Sequence, residues 1–416
     1  MIGVREATLH ILGGVSPLGT EDVPLLEAQG RVLAVDAVAP LDLPAHTNSA
    51  MDGYAVRAED VRGATARAPT ALRVIEHVPA GRFPAKPLGP GEATRIFTGA
   101  PLPEGADGVI RQEDTAAEGD TVVVLDDRDA GRNLRLAGED LRKGSLVFPA
   151  GTHLGAAQLG VLASMARARV RVHKRSRVAI IASGDEIADL DEADAILAGR
   201  KIASSNSYTL HALALDAGAT PVPLGIARDT LESVRALLER GMHEADLIVS
   251  TAGVSVGEHD FVRDALAALG AVMGFWRVRM RPGSPLGFAH VGGVPWIGLP
   301  GNPVSTMVCF ELYVRPAIRK MQGEHALFRR AVRVVSEEPL RTQGRLTHFL
   351  RAIVREQPDG FRARLTGPQG SGILTSMALA NALLVVPEDR NEVAAGDTLS
   401  AILLGDAGAF TDTPPV

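Results

Sequence analysis

The sequence predicts a multidomain fold that combines an α/β domain with separate β domains. Three observations indicate this class. The chain has 416 residues, whereas a single domain commonly holds about 150. Strand and helix patterns alternate between residues 177 and 321, which indicates a mostly parallel sheet with helices on both faces. Short β-branched runs separated by glycine and proline occupy residues 40–145 and 322–405, and such runs are typical of β modules.

Helical patterns flank the first β module. Residues 1–39 are mostly helical in pattern, in VREATLHIL and again in EDVPLLEAQGRVLA, and residues 153–166 return to a helical pattern. We therefore predict that the β module is inserted between two helical pieces that pack together. Its predicted strands are residues 71–78, 92–97, 108–114 and 121–126.

The central and C-terminal regions have clearer element boundaries. Asn206 is the predicted N-cap of a helix over 206–218. Asp229 and Glu232 form a capping-box pattern before the next helix, LESVRALLER. The predicted central strands are residues 177–182, 220–227, 246–251 and 294–299, followed by a long helix over 303–321. The predicted C-terminal strands are residues 330–336, 347–354, 360–366 and 382–388.

Composition excludes several classes of protein. The 43 basic and 49 acidic residues give a net charge of −6, without the basic excess that nucleic-acid binding usually needs. The single cysteine, Cys309, excludes an internal disulfide and a cysteine-based zinc site. No apolar run approaches the roughly 18 residues of a membrane span, and the N-terminus lacks a signal-peptide pattern. We expect a cytoplasmic protein with no nucleic-acid or membrane partner.

Three glycine-rich polar loops follow predicted strands. They are SGDE at 183–186, TAGVSVGEHD at 251–260 and PGNPVS at 300–305. Ligands of open α/β sheets bind outside the carboxyl ends of the strands, so we expect the three loops to line one crevice. The middle loop has the small residues of a phosphate-binding loop but lacks the Walker pattern.

The PGNPVS loop predicts a helix start that faces a ligand. Asn302 is a good N-cap, Pro303 suits the first helical position, and Gly301 would let a ligand approach the backbone. Free N–H groups there favour an anion, although a plain strand-to-helix turn explains the sequence equally well. Carboxylates near this crevice come from Asp185, Glu186, Glu258 and Asp260, and several acidic residues beside an anion suggest Mg²⁺ bridging carboxylates to phosphate. Asp260 is alternatively a helix cap.

Basic residues also collect near the crevice. Arg277, Arg279 and Arg281 alternate in FWRVRMRP, so they share one face if the run is a strand. An oxyanion site or a solvated edge would both account for them. In the β module, Asp52 and Gly53 mark a polar turn before the strand of SAMDGYAV.

Seven segments taken together resemble the MoeA family of molybdopterin molybdenumtransferases, which is related to the E domains of gephyrin and of its plant counterpart. Each segment alone is weakly specific, but their order and spacing are highly specific and cover nearly the whole chain. They are NSAMDGYAV (48–56), IFTGAPLPEGADGVIRQED (96–114), ASGDEI (182–187), SNSYTL (205–210), STAGVSVGEHDF (250–261), RPGSP (281–285) and GLPGNPVS (298–305).

The resemblance implies an L-shaped homodimer with four domains per chain, and a site closed across subunits. One domain is a three-layer α/β/α domain like that of the molybdopterin adenylyltransferases, and the last is a β-barrel. The boundaries that we predict are 1–39 with 142–172 for a helical linking domain, 40–141 for the inserted β domain, 173–322 for the α/β domain and 323–405 for the barrel.

The family reaction would insert molybdenum from molybdate into adenylylated molybdopterin and release AMP with the help of Mg²⁺. The substrates would be adenylylated molybdopterin and molybdate. The adenylyltransferase that makes the former and the molybdoenzymes that receive the product are further candidate partners.

The resemblance also assigns residues to roles. Asp52, Glu186 and Asp260 would be catalytic, and Glu186 with Asp260 would hold the metal. The residues that would bind substrate are Thr98, Asp229, Ser250, Gly253, Ser255, Gly257, Arg277, Arg281, Pro300, Gly301, Asn302, Pro303, Arg351 and Ser371. For Asp229, a structural capping box is an equal alternative.

The chain departs from the family in its basic segment. Arg277 and Arg281 stand where family members commonly carry lysines, and Ser284 stands where another lysine is common. Ser284 therefore removes a charge that we would expect near the oxyanion. Molybdate and the nearly isosteric tungstate both remain open as the metal source.

Two other functions compete with this reading. The same α/β domain serves molybdopterin adenylyltransferases and would suit a nucleotide pyrophosphatase, but those proteins lack the SAMDGYAV module and the C-terminal β domain. A non-catalytic scaffold, as gephyrin's E domain also is, fits less well because no long linker or fused adenylyltransferase domain is present here.

Overall fold

The computed structural model describes residues 1–252 and 261–405, which divide into two compact units. Unit 1 contains Met1–Val23, Ala28–Ala34 and the residues from Arg171 onward. Unit 2 contains Pro24–Glu27 and Val35–Val170. None of the helices in the described ranges is long and apolar enough to cross a membrane. The four-domain boundaries given above stay a prediction.

The first sheet of unit 1 has six strands with a parallel core. Its strands, in spatial order, are Thr220–Ala227, Arg177–Ser183, Leu247–Thr251, Val294–Leu299, Pro285–Val291 and Val272–Arg277. The first four run parallel to one another, the fifth runs antiparallel to them, and the sixth pairs antiparallel with the fifth. The strands Arg177–Ser183 and Leu247–Thr251 are almost wholly buried, as expected when helices cover both faces of a sheet. The predicted α/β class is confirmed.

Apart from the short helix Ala193–Leu197, which buries none of its residues, helices cover this sheet. They are Val4–Gly13, Ser205–Asp216, Leu231–Glu244, Phe261–Ala268, Pro303–Cys309 and Arg315–Met321. The last two belong to the predicted 303–321 helix, in which Phe310–Val314 forms a π-helical segment. Pro316 lies just beyond that segment and lacks an N–H group, so it removes one helical hydrogen bond and favours such a local change of pitch.

The second sheet of unit 1 closes into a barrel. Its strands are Met280–Arg281, Thr347–Gln357, Gly360–Leu365, Ala331–Ser336, Thr398–Leu403 and Ala382–Val386. Ala382–Val386 pairs back onto Thr347–Gln357, so the last five strands form a ring. The predicted C-terminal β-barrel is confirmed. The helix Leu374–Ala378 and the paired strands Leu340–Arg341 and Glu392–Val393 complete the region, and the pair Ile187–Ala188 with Ile202–Ala203 lies beside the first sheet.

Unit 2 is built on one six-stranded sheet. In spatial order its strands are Gly108–Arg111, Gly53–Val56, Glu92–Ile96, Thr65–Val78, Thr121–Asp126 and Thr115–Glu118. Short strand pairs and helices surround it, namely Ala37–Val38 with Leu146–Phe148, Asn48–Ser49 with Leu134–Arg135, and the helices Ala58–Val61 and Ala156–Ser164. Tyr54, Ile110 and Val124 lie in its core.

Several sequence predictions about local structure are wrong. Asn206 is not an N-cap, because its helix begins at Ser205 with Ser204 as the N-cap. Residues 21–34 do not form a helix, because the chain makes the strand Thr20–Pro24 and the 3₁₀ turn Leu25–Ala28, after which Gly30 has a φ of +71°. The arginines of FWRVRMRP do not share one strand. Ile2 pairs with the backbone between Arg277 and Arg279, so the chain leaves the first sheet there and Met280–Arg281 joins the barrel instead.

A buried ion network ties the helical segment 310–321 to its surroundings. The Glu311 carboxylate accepts hydrogen bonds from Arg315 Nε at 2.7 Å and Arg329 Nε at 2.6 Å. Asp216 Oδ2 accepts from Nη2 of the same two arginines, at 2.8 and 3.1 Å. The side chains of Glu311 and Arg315 are only 4 % and 5 % exposed, whereas that of Asp216 is 60 % exposed. Removing one buried partner would therefore leave an uncompensated charge.

We expect Glu311→Gln to lower the free energy of unfolding by about 3–5 kcal/mol, because two guanidinium groups then lose their buried counter-charge. The matched control is Asp216→Asn, which removes an exposed partner of the same arginines and should cost about 1 kcal/mol or less. Urea unfolding of the full chain measures both. Equal and small losses in the two variants would contradict the buried-network interpretation.

Candidate functional site

A cleft opens in unit 1 at the carboxyl ends of the parallel strands. It has a volume of about 660 Å³. Its walls come from the loops after three strands, from the start of the helix Ser205–Asp216 and from the segment near Leu374. The lining residues include Ser183, Glu186, Ser204, Asn206, Thr251, Ala252, Pro300, Gly301, Asn302, Pro303, Gly372 and Leu374. The structure thus brings together the SGDE and PGNPVS loops, as the strand order requires. Gly253, Ser255, Gly257 and Asp260 lie outside the described residues.

The PGNPVS loop is held from three sides. Asn206 Nδ2 donates to the Gly301 carbonyl at 2.7 Å, and Thr306 Oγ1 donates to the Pro300 carbonyl at 2.6 Å. Asn302 is the N-cap residue of the helix Pro303–Cys309, but its side chain makes no cap hydrogen bond. Instead Asn302 Nδ2 donates to Ser371 Oγ at 3.0 Å. Asn302 is therefore at the predicted cap position, but its side chain contacts a distant segment of the chain and leaves the helix uncapped.

Gly301 faces open space. A Cβ atom at this position would meet nothing closer than Ala252 Cβ at 3.6 Å, an ordinary contact, and its φ is not positive. Neither backbone conformation nor packing in the described residues therefore demands glycine at 301. The smallest residue at an exposed wall of the cleft leaves room for a ligand beside the backbone.

Glu186 is the carboxylate that lines the cleft. Gly184 has a φ of +139°, a backbone conformation that residues with a side chain rarely adopt, so glycine suits this loop conformation. A Cβ atom at Gly184 would also lie 2.8 Å from Glu186 Oε2. Within the described ranges no three histidine, cysteine, aspartate or glutamate residues form a cluster that could hold a metal ion. Of the two predicted metal ligands, Glu186 therefore stands at the cleft, and Asp260 falls outside the description.

Asp229 does not form the predicted capping box. The helix Leu231–Glu244 begins after Thr230, whose Oγ1 accepts a hydrogen bond from Ser233 N at 3.2 Å. Asp229 Oδ2 instead accepts from Asp185 N at 3.2 Å, and Asp185 Oδ1 accepts from Asp229 N at 3.3 Å. These two reciprocal bonds join the loops after two neighbouring strands. Asp229 is absent from the residues that line the cleft.

Ser250 belongs to the core. It is 2 % exposed, and its Oγ accepts a hydrogen bond from Trp296 Nε1 at 3.0 Å. The neighbouring Thr251 lines the cleft instead. Successive side chains of a strand point to opposite faces. Ser250 and Thr251 are consecutive, so only one of them can point toward the cleft.

A second cavity, of about 590 Å³, lies beside the barrel in unit 1. Three arginines line it, and the sequence analysis named two of these, Arg281 and Arg351. Polar neighbours that it missed complete the wall. The lining residues include Arg281, Arg341, Thr342, Gln343, His348, Arg351, Gln369 and Gly370. We refer to this space as the basic cavity.

Arg351 is fully buried in the wall of the basic cavity. Its Nε donates to Ser376 Oγ at 3.1 Å, and its Nη2 donates to the carbonyls of Gly370 and Pro368 at 2.9 and 3.3 Å. These acceptors are neutral, and burial lowers the pKa of Arg351. A guanidinium held by neutral groups retains its full positive field for an anion.

The other predicted basic residues occupy different places. Arg281 Nη1 donates to Gln343 Oε1 at the basic cavity. Arg277 ends the strand Val272–Arg277 and is absent from the lining of that cavity. The Ser284 hydroxyl lies 3.6 Å from Met1 Sδ and does not line the cavity either. The expectation that Ser284 stands at the oxyanion therefore lacks support from its position.

Ser371 lies between the cleft and the basic cavity. Its Oγ accepts from Asn302, and its carbonyl accepts from Val304 N at 3.1 Å. Gln369 and Gly370, which precede it, line the basic cavity, and Gly372, which follows it, lines the cleft. One short segment thus forms part of both walls.

Asp52 and Thr98 form a polar pair in unit 2. Asp52 is exposed, as predicted, and its Oδ1 accepts from Thr98 N at 2.8 Å and from Thr98 Oγ1 at 2.9 Å. The pKa of Asp52 is lowered, mainly by the Thr98 backbone bond, then by the Thr98 hydroxyl and more weakly by the charge of Arg95. The pair keeps Asp52 ionised and oriented.

Comparisons with known proteins identify the family. Three family models match in order: MoeA N-terminal region (domain I and II) over residues 2–166, probable molybdopterin binding domain over 179–320, and MoeA C-terminal region (domain IV) over 333–404. The chain therefore belongs to the MoeA family, as its motifs indicated.

Individual proteins similar to this chain carry the names of the same family. Molybdopterin molybdenumtransferase 2 of Mycobacterium tuberculosis is 41 % identical over 382 residues, which cover 91 % of this chain and 93 % of that protein. Molybdopterin molybdenumtransferase of Nostoc sp. is 38 % identical over 394 residues, covering 92 % and 89 %. The crystal structure of molybdopterin biosynthesis moeA protein from Pyrococcus horikoshii OT3 has a TM-score of 0.82 at 31 % identity, covering 97 % of this chain and 100 % of that one.

We expect Gly301→Ala to leave stability within about 0.5 kcal/mol of the parent, as is usual for substitutions in open space, while weakening ligand binding in the cleft. The control is Gly283→Ala, whose Cβ would lie 2.4 Å from the buried Cys309 Sγ at a φ of +101°. That variant should lose about 1–3 kcal/mol through overpacking. Thermal unfolding and titration with adenylylated molybdopterin separate the effects. A destabilised Gly301→Ala, or one that binds normally, would contradict the open wall.

Proposed function

We propose that this member of the MoeA family is a molybdopterin molybdenumtransferase, which inserts molybdenum from molybdate into adenylylated molybdopterin and releases AMP. The relatives that carry this name match more than nine-tenths of the chain. The single structural observation that carries the proposal is the pair of cavities that share the segment around Ser371. One cavity suits an extended phosphorylated ligand and the other suits a small oxyanion.

The cleft would bind adenylylated molybdopterin. Its walls include the helix start Ser204–Asn206, whose free N–H groups favour phosphate oxygens. At the other helix start, Pro303 has no N–H group and Val304 N donates to Ser371. The loop that begins at Thr251 would contribute further N–H groups. The open wall at Gly301 would let the ligand lie against the backbone. These groups would fix the ligand before the reaction, which lowers the entropic part of the barrier.

The basic cavity would bind molybdate. The guanidinium of Arg351 is held in place by Ser376 and two backbone carbonyls, and the fork of an arginine matches oxyanion geometry. Arg281, which lines this cavity, and Ser371, which follows its residues Gln369 and Gly370, are proposed to contribute as well. Arg277 does not line the cavity, and its role stays a prediction of the resemblance. Ser371 would then stand where the oxyanion meets the dithiolene sulfurs that receive the metal. The same chemistry would accept tungstate.

Magnesium, if bound by Glu186 and Asp260, would neutralise charge on the pyrophosphate. Glu186 is the described half of that pair, and magnesium commonly needs only one or two carboxylates when substrate phosphates supply further ligands. Glu186 also limits the cleft to ligands that offer a metal or a donor to its carboxylate. Asp52, ionised and oriented by Thr98, is proposed to take part as the second acidic group.

The two competing functions account for fewer of the domains that this chain contains. An adenylyltransferase or a pyrophosphatase needs only the α/β domain, whereas family matches extend over residues 2–166 and 333–404 as well. A scaffold would not require Arg351 to be buried without a charged partner. We therefore favour the transferase.

We predict that the purified chain releases AMP from adenylylated molybdopterin only when molybdate and Mg²⁺ are present, and that ATP is not consumed. Asp52→Ala should abolish this release while leaving the melting temperature nearly unchanged, since Asp52 is exposed and such substitutions usually change stability by less than about 0.5 kcal/mol. Chromatography of AMP measures the reaction. AMP release without molybdate, or a fully active Asp52→Ala, would sink the assignment.

We also propose a homodimer, as the family resemblance implies, because two-fold dimers are the commonest oligomers. Light scattering at micromolar concentration should give about twice the chain mass of 43.7 kDa. A mass equal to one chain would contradict this proposal.

A cytoplasmic location remains a prediction of the sequence.

A further inference from the structure

The backbone around Asp52 is packed unusually closely. Gly53 lies in the sheet between Ile96 and Arg111. A Cβ atom at Gly53 would lie 2.0 Å from the Ile110 carbonyl oxygen, so only glycine fits. The turn that carries Asp52 is thus pressed against the neighbouring strand and has little freedom to move.

Arg95 occupies a fixed place beside this turn. Its guanidinium lies 4.9 Å from the ring centre of Tyr54 and 4.9 Å from that of Phe97. Its Nη1 donates to the Gly53 carbonyl at 3.0 Å, and its Nη2 donates to Gln112 Oε1 at 2.7 Å. Two aromatic contacts and two hydrogen bonds hold a side chain that would otherwise be mobile.

Gln112 closes the network on the other side of Asp52. Its backbone N–H donates to the Asp52 carbonyl at 3.1 Å, while its side chain accepts from Arg95. The carbonyls of Asp52 and Gly53 are therefore both bound. With the carboxylate held by Thr98, the main chain and the side chain of Asp52 are each fixed by a separate contact.

We propose that Arg95, together with Gln112, is a positioning residue that sets the orientation and the charge of Asp52. The inference rests on the proposed function, in which Asp52 takes part in the reaction. Arg95 acts through the Gly53 carbonyl and through its positive field, and it has no assigned contact with substrate. Two effects follow from one side chain: the turn keeps its shape, and the positive charge adds a small further lowering of the pKa of Asp52 to the larger one that the Thr98 hydrogen bonds cause.

The charge of Arg95 is well placed for the second effect. In the described part of unit 2, Arg95 is the charged side chain whose field acts on Asp52, and Thr98 and Gln112 are neutral. A positive charge nearby favours the carboxylate over the carboxylic acid. Loss of the charge should raise the pKa of Asp52, and the acid limb of any activity that needs the ionised form should move to higher pH.

The experiment uses the full-length chain in four forms besides the parent. Arg95→Gln removes the charge, and Arg95→Lys keeps it but loses the planar fork. Gln112→Met removes the acceptor of Arg95 and leaves the backbone contact to Asp52. Arg73→Gln is the matched control, because Arg73 lies in the same sheet, is 70 % exposed and pairs with Glu92. Two readouts are the pKa of Asp52, from the carboxyl ¹³C shift of labelled protein, and kcat with KM for AMP release.

We expect Arg95→Gln to raise the pKa of Asp52 and to lower kcat about tenfold with a smaller change in KM, because small misplacements of a reacting group can cost up to about a hundredfold in rate. Arg95→Lys should restore the pKa but only part of kcat. Gln112→Met should lower kcat with little change in the pKa. Arg73→Gln should change neither quantity.

A folded Arg95→Gln with the parental pKa of Asp52 would overturn the proposal, as would a loss of activity that follows only a fall in melting temperature. If Arg95→Gln fails to fold, Gln112→Met decides, and a parental kcat in that variant overturns the proposal. Full activity of Asp52→Ala, the variant of the preceding subsection, would instead refute the proposed role of Asp52, while the measured pKa shift in Arg95→Gln would still stand.

Discussion

The hydrogen bonds between Ser371 and the start of the helix at Pro303 hold the two cavities of unit 1 together. The Ser371 carbonyl binds Val304 N at 3.1 Å, and its hydroxyl binds Asn302 Nδ2 at 3.0 Å. The segment that follows the barrel strand Gly360–Leu365 is thereby anchored to the loop that follows the sheet strand Val294–Leu299. Without that anchor, the cleft and the basic cavity would be separate features of two sheets. With it, the two cavities share the short segment 369–372 as part of their walls.

The burial of Arg351 depends on the same anchored segment. A guanidinium removed from water is costly unless acceptors replace its hydration, and here the backbone carbonyls of Pro368 and Gly370 do so. Those carbonyls belong to the segment that Ser371 anchors. The fold therefore stabilises the segment and the arginine together. Among the described residues, the hydrogen-bond acceptors of this guanidinium are a serine hydroxyl and two backbone carbonyls, which leave its positive charge in place.

The sequence predicts this fold well where the signal is local. The strand Val294–Leu299 matches its predicted residues, and the cap position of Asn302 is correct. Errors arise where a distant residue decides. Ile2 pairs with the backbone between Arg277 and Arg281. Trp296 donates a hydrogen bond to Ser250, and the backbone of Asp185 donates one to Asp229. Each of these partners lies far away in sequence or needs the sheet order to be known, so periodicity and capping rules cannot reveal it.

The acidic residues illustrate how contacts narrow a list of candidates. Asp185 and Asp229 bind each other's backbone N–H groups, and their carboxylates hold the loops together. Asp52 is oriented by Thr98 in unit 2. Glu186 differs, because among the described residues its carboxylate lines the cleft and accepts no hydrogen bond, while the absence of a Cβ at Gly184 leaves space for it. The sequence presents Asp185 and Glu186 as equivalent neighbours. The structure separates them into one that maintains the loop through Asp229 and one that lines the cleft, a distinction that depends on the neighbouring strand and is not visible in the sequence.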